Sequence, residues 1–346
     1  RRVRHFPNCT YTGVGSDGSH TFRRLDGAQF YSVAVAHKLV DASYLSTRTP
    51  SQCSPGYMVD GGVQHSPVNI LTDVDASSYS DFVVIGAGKT GMDACVRLLD
   101  LGVAPSRIRW ICPNDAWIFD RQMAANPDSE WRVAQPYRTK PSSLFWKHLW
   151  VRSCVLWCMC CCGGVRHSLV NRSLADGFED ADGRDSDPTA NRTFFRLDPG
   201  VDPKKFRCAT ASREELAKLK SIRNVIRRGR VVRIGEHAIV MQDGTRFPTS
   251  RNALHVDCTA DGLSTGKGVP VFATRCIVLQ SLIMCQQVFS AAVIAHVECA
   301  YADEPLHHKN GLCRPVPHPQ TPVDSVECEF SSLENWSQWG LDPAMV

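Results

Sequence analysis

The sequence lacks a long uncharged apolar run. Its most apolar stretch, residues 144–165, carries Lys147, His148 and Arg152, and its uncharged part, residues 153–164, is shorter than the roughly 20 residues of a membrane-spanning helix. The sequence also lacks an excess of either charge, because its net charge is only +4. We therefore expect neither a membrane protein nor one that binds nucleic acid or a membrane surface through its charge.

Metal-ligand motifs of standard spacing are also missing. Cys158 and Cys161 form a C-x-x-C, but no second such pair and no paired histidine follows at zinc-finger spacing. The acidic stretch 176–187 fails as an EF-hand because Arg184 occupies a ligand position. The remaining candidates match no standard site; they are His296, Cys299, His307, His308, Cys313 and His318. The sequence therefore predicts no bound metal.

Cysteine is abundant, with 16 residues. Five of them crowd into residues 154–162, and the others are scattered, often inside apolar runs. Scattered cysteines in an α/β pattern are typical of reduced core residues, so we expect an intracellular, cytoplasmic protein. The chain begins at Arg1 rather than Met, and we expect it to be part of a longer protein.

Residues 81–94 are the stretch around which the chain is organised. An apolar run at 82–85 predicts a buried strand, a glycine-rich turn follows it, and apolar residues at helical spacing follow the turn. A second apolar strand at 107–112 completes a strand-helix-strand unit.

The glycine spacing of this turn, G-x-G-x-x-G, is typical of dinucleotide binding. The first glycine permits the sharp exit from the strand, the second lets the backbone approach a pyrophosphate, and the third lets the helix pack on the sheet. The helix start then offers N–H groups and partial positive charge to the phosphates. The predicted cofactor-binding residues of the turn are Gly86, Ala87, Gly88, Lys89, Thr90 and Gly91.

The glycine spacing is also compatible with two alternatives. A tight strand-to-helix turn can exist without any ligand. Gly88, Lys89 and Thr90 also match the end of a phosphate-binding P-loop, but that motif needs a glycine where Val83 stands, inside the strand. We therefore favour a dinucleotide over a nucleoside triphosphate.

The residues after the second strand usually decide which dinucleotide binds. A carboxylate there holds the ribose 2′-hydroxyl of NAD, and an arginine holds the 2′-phosphate of NADP. Asp115 is available for the first role and Arg121 for the second. Asp115 is equally compatible with a helix N-cap, so the choice between the two nucleotides stays open.

The pattern divides the chain into three parts. Residues 1–80 are β-rich, residues 81–265 contain the strand-helix-strand unit, and residues 266–346 are partly helical. Within the second part, residues 125–195 have neither helical nor strand periodicity, so we expect a poorly ordered insertion there. The expected fold class is α/β.

Local signals add three smaller predictions. Ser212 and Glu215 form the capping box of a helix start, and Asp243 with the following glycine predicts a hairpin turn. The prolines between 315 and 322 predict an extended surface segment before a short helix at about 333–339.

Two predicted strands end alike. Val256-Asp257-Cys258-Thr259 repeats the residue types of Val40-Asp41-Ala42-Ser43 at every position. Two related nucleotide-binding units would leave such a repeat, with Ser43 and Thr259 just after the strands.

The run from Phe82 to Arg121, with its Gly-Ala-Gly-Lys-Thr-Gly loop and its Ala-Trp-Ile-Phe-Asp-Arg sequel, resembles a known motif. It is similar to the second, nicotinamide-nucleotide-binding motif of flavin-containing monooxygenase-like proteins, in the FAD/NAD(P)-binding oxidoreductase superfamily. An uncharacterised branch of that superfamily shares the segments at 256–262, 286–292 and 313–319. The resemblance covers roughly residues 1–122 and 194–330.

The resemblance implies a Rossmann-like three-layer nucleotide-binding domain at 81–265, inserted into a partial FAD-type domain at 1–80 and 266–346. NAD(P)H would bind at the glycine loop, with Ser43 and Thr259 near the bound nucleotides. The implied function is that of an NAD(P)H-dependent flavoprotein oxidoreductase, monooxygenase-like, which passes hydride to FAD and acts on a small-molecule substrate.

Two departures from the family keep alternatives open. The chain as given lacks the family's main FAD phosphate site, and Pro113, Asn114 and Asp115 stand where the monooxygenases usually carry arginines. The first departure allows a non-catalytic or degenerate dinucleotide-binding protein, and the second allows NAD rather than NADP. No catalytic acid, base or nucleophile stands out at a motif spacing.

Overall fold

The structure is a computed structural model that describes residues 4–27, 29–45, 47, 49–122, 194–260 and 266–341. It is a mixed α/β structure with several sheets, as the sequence predicts in coarse form. The predicted insertion lies outside the described residues apart from residues 194–195, and so do the C-x-x-C and the acidic stretch.

The described residues contain seventeen β-strands. In chain order they are β1 (Cys9–Val14), β2 (His20–Arg24), β3 (Phe30–Val33), β4 (Leu39–Asp41), β5 (Met58–Val59), β6 (His65–Pro67), β7 (Asp81–Ile85), β8 (Ile108–Ile111), β9 (Ala116–Asp120), β10 (Phe194–Phe195), β11 (Lys205–Ala211), β12 (Val225–Ile226), β13 (Val231–Ile234), β14 (Ala238–Met241), β15 (Arg246–Pro248), β16 (Ala253–Asp257) and β17 (Cys276–Val278).

Five α-helices lie in the same residues. They are α1 (Lys89–Asp100), α2 (Arg213–Ser221), α3 (Gln287–Ala300), α4 (Leu306–Leu312) and α5 (Pro322–Leu341). Short 3-10 helices occupy Val68–Thr72, Ala76–Ser78 and Pro105–Arg107. None of the described helices combines the length and apolar character that a membrane crossing requires.

A five-stranded parallel sheet carries the predicted unit. Its strand order is β12-β8-β7-β16-β6, and every neighbouring pair is parallel. The chain leaves β7 through α1 and enters β8 on one side, whereas β16 lies on the other side of β7. The strand order therefore reverses between β7 and β16.

The two faces of this sheet are covered by different elements. Phe82 and Val84 of β7 join the hydrophobic core that includes α1 and α2. Val83 and Ile85 point to the opposite face, because successive strand residues alternate, and join the core with β13 and β14. The strands β15, β14, β13 and β5 form one sheet on that side.

Strand pairing connects the three predicted parts of the chain. β5 and β6, which fall within the first predicted part, pair with β13 and β16 of the second part, and the division at residues 80 and 265 stays a prediction. β17 of the last part pairs with β4 of the first part. Lys38 and Glu298 add an ion pair of 2.6 Å between the same two parts.

The prediction for the C-terminal region was wrong in extent. α5 begins at Pro322 and runs for 20 residues. A proline at the first helical position needs no backbone N–H and has a helical φ, so it starts this helix rather than preceding it. The segment before α5 is not wholly on the surface, because Val316 and His318 are only 3% and 6% exposed.

The cysteines correct a second expectation. Cys208 and Cys285 form a disulfide that joins β11 to the segment before α3, so not all scattered cysteines are reduced. Others are buried free thiols, as predicted: Cys95, Cys112, Cys258, Cys313 and Cys328.

Candidate functional site

The turn between β7 and α1 uses its three glycines differently. Gly86 has a φ of +130°, and a Cβ there would lie 2.5 Å from the carbonyl oxygen of Cys258. A Cβ at Gly91 would lie 2.1 Å from the carbonyl oxygen of Gly86. Gly88 has a φ of −76°, and a Cβ there would meet no atom within 4 Å. The protein itself therefore requires glycine at 86 and 91, whereas the space beside Gly88 is open.

Trp110 fixes the first peptide of the turn. This residue of β8 is fully buried, and its Nε1 donates a hydrogen bond of 2.8 Å to the carbonyl oxygen of Gly86. The indole N–H of a buried tryptophan needs a partner, and here the turn provides it. This role was not predicted, although a tryptophan inside a buried strand signals such a partner.

The start of α1 is suited to an anion. Its N-cap is Gly88, no side chain caps it, and its first turn holds no acidic residue. The first N–H groups of a helix have no intrahelical acceptor and carry partial positive charge. Lys89 adds an ammonium group in this turn, which pairs with Asp93 one turn later.

Thr259 lies beside the glycine turn, and its role as a nucleotide-binding residue stays a prediction. It follows β16, whose last residue Asp257 pairs with Ile85, and the N–H of Cys258 donates to the carbonyl oxygen of Ile85 at 2.8 Å. Thr259 is exposed, whereas Asp257 is 1% exposed. The two residues therefore stand at the carboxyl ends of β7 and β16, where the strand order reverses and open α/β sheets bind ligands.

Asp257 belongs to a buried polar group that was not predicted from the sequence. Its Oδ1 accepts hydrogen bonds from the N–H and the hydroxyl of Thr259, at 2.9 and 2.6 Å. His65 Nε2 lies 3.9 Å from Asp257 Oδ2 and 3.0 Å from the Tyr57 hydroxyl. An aspartate two residues before a threonine is a local turn signal that could have identified part of this group.

Neither neighbour of Asp257 carries charge near neutral pH. Burial raises the pKa of Tyr57, and the negative charge of Asp257 raises it further. Burial lowers the pKa of His65, although Asp257 opposes that shift. The neighbours of the Asp257 side chain are therefore neutral polar groups and not cations.

Asp115 lies beyond the carboxyl end of β8 but is held by an arginine. Arg227 Nε and Nη2 donate to its two carboxylate oxygens at 2.8 and 3.1 Å, and the Asp115 side chain is 2% exposed. The N-cap interpretation is wrong, because strand β9 begins at Ala116. A ribose hydroxyl would have to compete with Arg227 for this carboxylate.

Arg121 is also in an ion pair. Its two terminal nitrogens lie 3.0 and 2.8 Å from the carboxylate oxygens of Glu215 in α2. Burial raises the pKa of Glu215, but hydrogen bonds from the Ser212 backbone and Arg121, with the charges of Lys89 and Arg121, outweigh it and lower the pKa. The contribution of Lys89 shows that this pair lies within electrostatic reach of the helix start.

Ser43 is not part of the central sheet. It follows β4, which pairs with β17 in a separate two-stranded sheet. Asp41 Oδ1 accepts the N–H of Ser43 at 2.8 Å and its hydroxyl at 2.6 Å, so the repeat seen in the sequence is also a repeat in geometry. The described residues do not place Ser43 against the glycine turn.

A second G-x-G-x-x-G, which was not predicted as a motif, occurs at Gly13, Gly15 and Gly18. It spans the end of β1 and the turn to the antiparallel strand β2, and the described residues of 4–45 contain no α-helix. Without a helix start this turn offers no phosphate site of the kind found at Gly88. Residues 4–45, as described, therefore do not fit the phosphates of FAD.

The predicted absence of a metal site stays a prediction. Among the described residues no group of three or more His, Cys, Asp and Glu side chains has the arrangement of a metal site. His318, a candidate by residue type, is instead buried between Ser281 and Gln287, whose side chains lie 3.0 and 2.8 Å from its Nε2.

No known family model matches the chain. The chain is similar to Uncharacterized protein Mb2023 of Mycobacterium bovis and Uncharacterized protein Rv2000 of Mycobacterium tuberculosis, with 37% identity to each over 346 residues. The match covers 100% of this chain and 57% of each relative, so the chain spans little more than half the length of the curated relatives it matches.

Proposed function

We propose that the chain binds NADH or NADPH at the glycine turn, as part of an NAD(P)H-dependent flavoprotein oxidoreductase. The contrast among the three glycines carries the proposal. A turn without a ligand would need glycine at 86 and 91, where a Cβ would strike backbone, but not at 88, where it would meet nothing. A pyrophosphate lying beside Gly88 accounts for the third glycine.

The surrounding fold supports the same proposal. A parallel sheet with helices on one face, antiparallel strands on the other and a reversal of strand order beside the turn is compatible with a Rossmann-like three-layer nucleotide-binding domain. The backbone N–H groups at 88–91 would hold the pyrophosphate, and Lys89 would add charge. Asp115 and Arg227 would lie on the adenosine side, and Thr259 on the nicotinamide side.

A bound nicotinamide nucleotide supplies a hydride, for which FAD is the acceptor that the family resemblance implies. The chain's own residues have a positioning role. Trp110 and Cys258 fix the turn from two sides, and Asp257 fixes Thr259. The assignment of FAD as the hydride acceptor is based on the family resemblance, and we assign no residue to the reaction of FAD.

Titration of the purified protein with NADH and NADPH tests the proposal, with binding followed by calorimetry and flavin by visible absorbance. We expect one nucleotide to bind, and the visible flavin absorbance of the full-length protein to bleach when that nucleotide is added. A colourless protein that binds nucleotide without oxidising it would favour the alternative, a non-catalytic dinucleotide-binding protein. A protein that binds neither nucleotide would refute both.

A further inference from the structure

The hydroxyl group of Thr259 is held in one orientation. It donates its proton to Asp257 Oδ1 at 2.6 Å, and within the described part of the chain it has no other hydrogen-bond partner. A carboxylate can only accept, so the proton of this hydroxyl is committed to Asp257. A hydroxyl has one proton and two lone pairs, so the Thr259 hydroxyl can offer a ligand only its acceptor capacity.

This hydroxyl lies on a defined side of the glycine turn. In open α/β sheets the adenosine of a dinucleotide lies beside the second strand of the unit, and the ligand crosses the point of strand reversal. Here the second strand is β8, on one side of β7, and Thr259 follows β16 on the other side. The part of the ligand that reaches Thr259 is therefore the nicotinamide half.

We propose that Thr259 is a specificity-determining residue that accepts a hydrogen bond from the nicotinamide half of the dinucleotide. The donor is an N–H of the carboxamide or an O–H of the attached ribose, and a ligand with only acceptors at that place meets lone pairs and is rejected. Asp257 is the positioning residue that makes Thr259 an acceptor. This inference rests on the proposed function, since it needs a dinucleotide at the glycine turn.

The chain contains a matched control for this arrangement. In the turn between β14 and β15, Asp243 Oδ1 accepts the N–H of Thr245 at 2.9 Å, as Asp257 Oδ1 accepts that of Thr259. This turn belongs to the sheet β15-β14-β13-β5 and not to the carboxyl edge of the parallel sheet. Thr245→Val therefore makes the same threonine-to-valine change in a similar turn where no nucleotide is expected.

The test compares the wild type with Thr259→Val, Thr259→Ser and Thr245→Val. Calorimetry would measure binding of the oxidised dinucleotide, its nicotinic acid analogue, ADP-ribose and ADP. We expect Thr259→Val to weaken binding of the dinucleotide about 3- to 10-fold, the range set by one lost hydrogen bond. Thr259→Ser and Thr245→Val should bind as the wild type does, and ADP should bind equally to all four proteins.

The ligand series identifies the donor. If the carboxamide is the donor, Thr259→Val weakens binding of the dinucleotide but not of the other ligands. The variant then prefers the dinucleotide over its nicotinic acid analogue by a smaller factor than the wild type does. If the ribose is the donor, binding of ADP-ribose and the analogue weakens as well. Unchanged dinucleotide binding in Thr259→Val, or an equal loss for ADP, would overturn the inference. A wild type that binds neither dinucleotide nor ADP would instead refute the proposed function.

Discussion

Replacing Gly88 with valine tests whether glycine is required at this position for nucleotide binding or for folding. A Cβ at Gly88 meets nothing within 4 Å, and a φ of −76° suits any residue. Valine is a poorer N-cap than glycine by up to about 1 kcal/mol, but removing a glycine from the unfolded chain offsets about 0.4–1 kcal/mol of that cost. We therefore expect the free energy of unfolding of Gly88→Val to stay within about 1 kcal/mol of the wild type.

The same substitution should remove nucleotide binding. The valine side chain would fill the space that we assign to the pyrophosphate, so we expect affinity for NAD(P)H to fall at least about tenfold, or about 1.4 kcal/mol. Nucleotide titration and urea unfolding of the same preparation would measure the two effects. Wild-type affinity in a folded Gly88→Val protein would refute the site.

Gly91→Ala is the matched control with the opposite expectation. Its Cβ would lie 2.1 Å from the Gly86 carbonyl oxygen, which also accepts the Trp110 indole N–H. Overpacking and loss of that buried hydrogen bond outweigh the better helix propensity of alanine, so we expect the free energy of unfolding to fall by about 3 kcal/mol. Wild-type stability of Gly91→Ala in urea would show that the turn is packed differently.

Three further predictions concern the surrounding structure. Arg227→Met leaves the buried Asp115 carboxylate without its partner, so the free energy of unfolding in urea should fall by about 3 kcal/mol, whereas Met at the exposed Arg230 should change it by less than about 0.5 kcal/mol. Burial lowers the pKa of His255, and of His65 likewise, so both are neutral in the folded state while the unfolded chain takes up protons below about pH 6.5. The free energy of unfolding should therefore fall as the pH decreases below about 6.5. Urea unfolding at a series of pH values would measure this, and His255→Gln should make the free energy depend less on pH. A wild-type free energy of unfolding that does not change with pH would contradict the prediction. Reduction of Cys208–Cys285, which are separated by 77 residues, should lower the free energy of unfolding by about 2–4 kcal/mol, and a variant with both cysteines replaced by serine should lose its response to reductant.

Local features of the fold were predictable from the sequence because their causes are local. The capping box of Ser212 and Glu215 is present, since both partners lie within one turn of α2. The strand, glycine turn and helix at 81–100 were predictable for the same reason. The start of α5 was not predicted, because its capping box has an aspartate where the usual box has glutamate or glutamine. The Asp324 carboxylate accepts the N–H of Thr321, and the Thr321 hydroxyl accepts the N–H of Asp324.

Contacts between distant residues were not predictable. Asp115 has the residue type and the position after β8 that are expected of a ribose-binding carboxylate. Its partner Arg227, however, lies 112 positions later in the chain. The roles of Trp110 and Tyr57 depend in the same way on what the folded chain brings next to them. The glycines at 13–18 show the complementary limit, because the same spacing gives a hairpin turn where no helix follows.

The backbone of Cys258 packs against Gly86, and this contact has a consequence for the order in which the protein folds. β7, the glycine turn and α1 are synthesised long before β16, which inserts between β7 and β6. Until β16 arrives, one edge of β7 has no partner in the parallel sheet, and pairings this remote in sequence form late. A nascent chain that ends before Ala253 should therefore contain the complete glycine motif and still bind nothing at the nucleotide site that we propose, so that ligand binding would follow the folding of this sheet rather than start it.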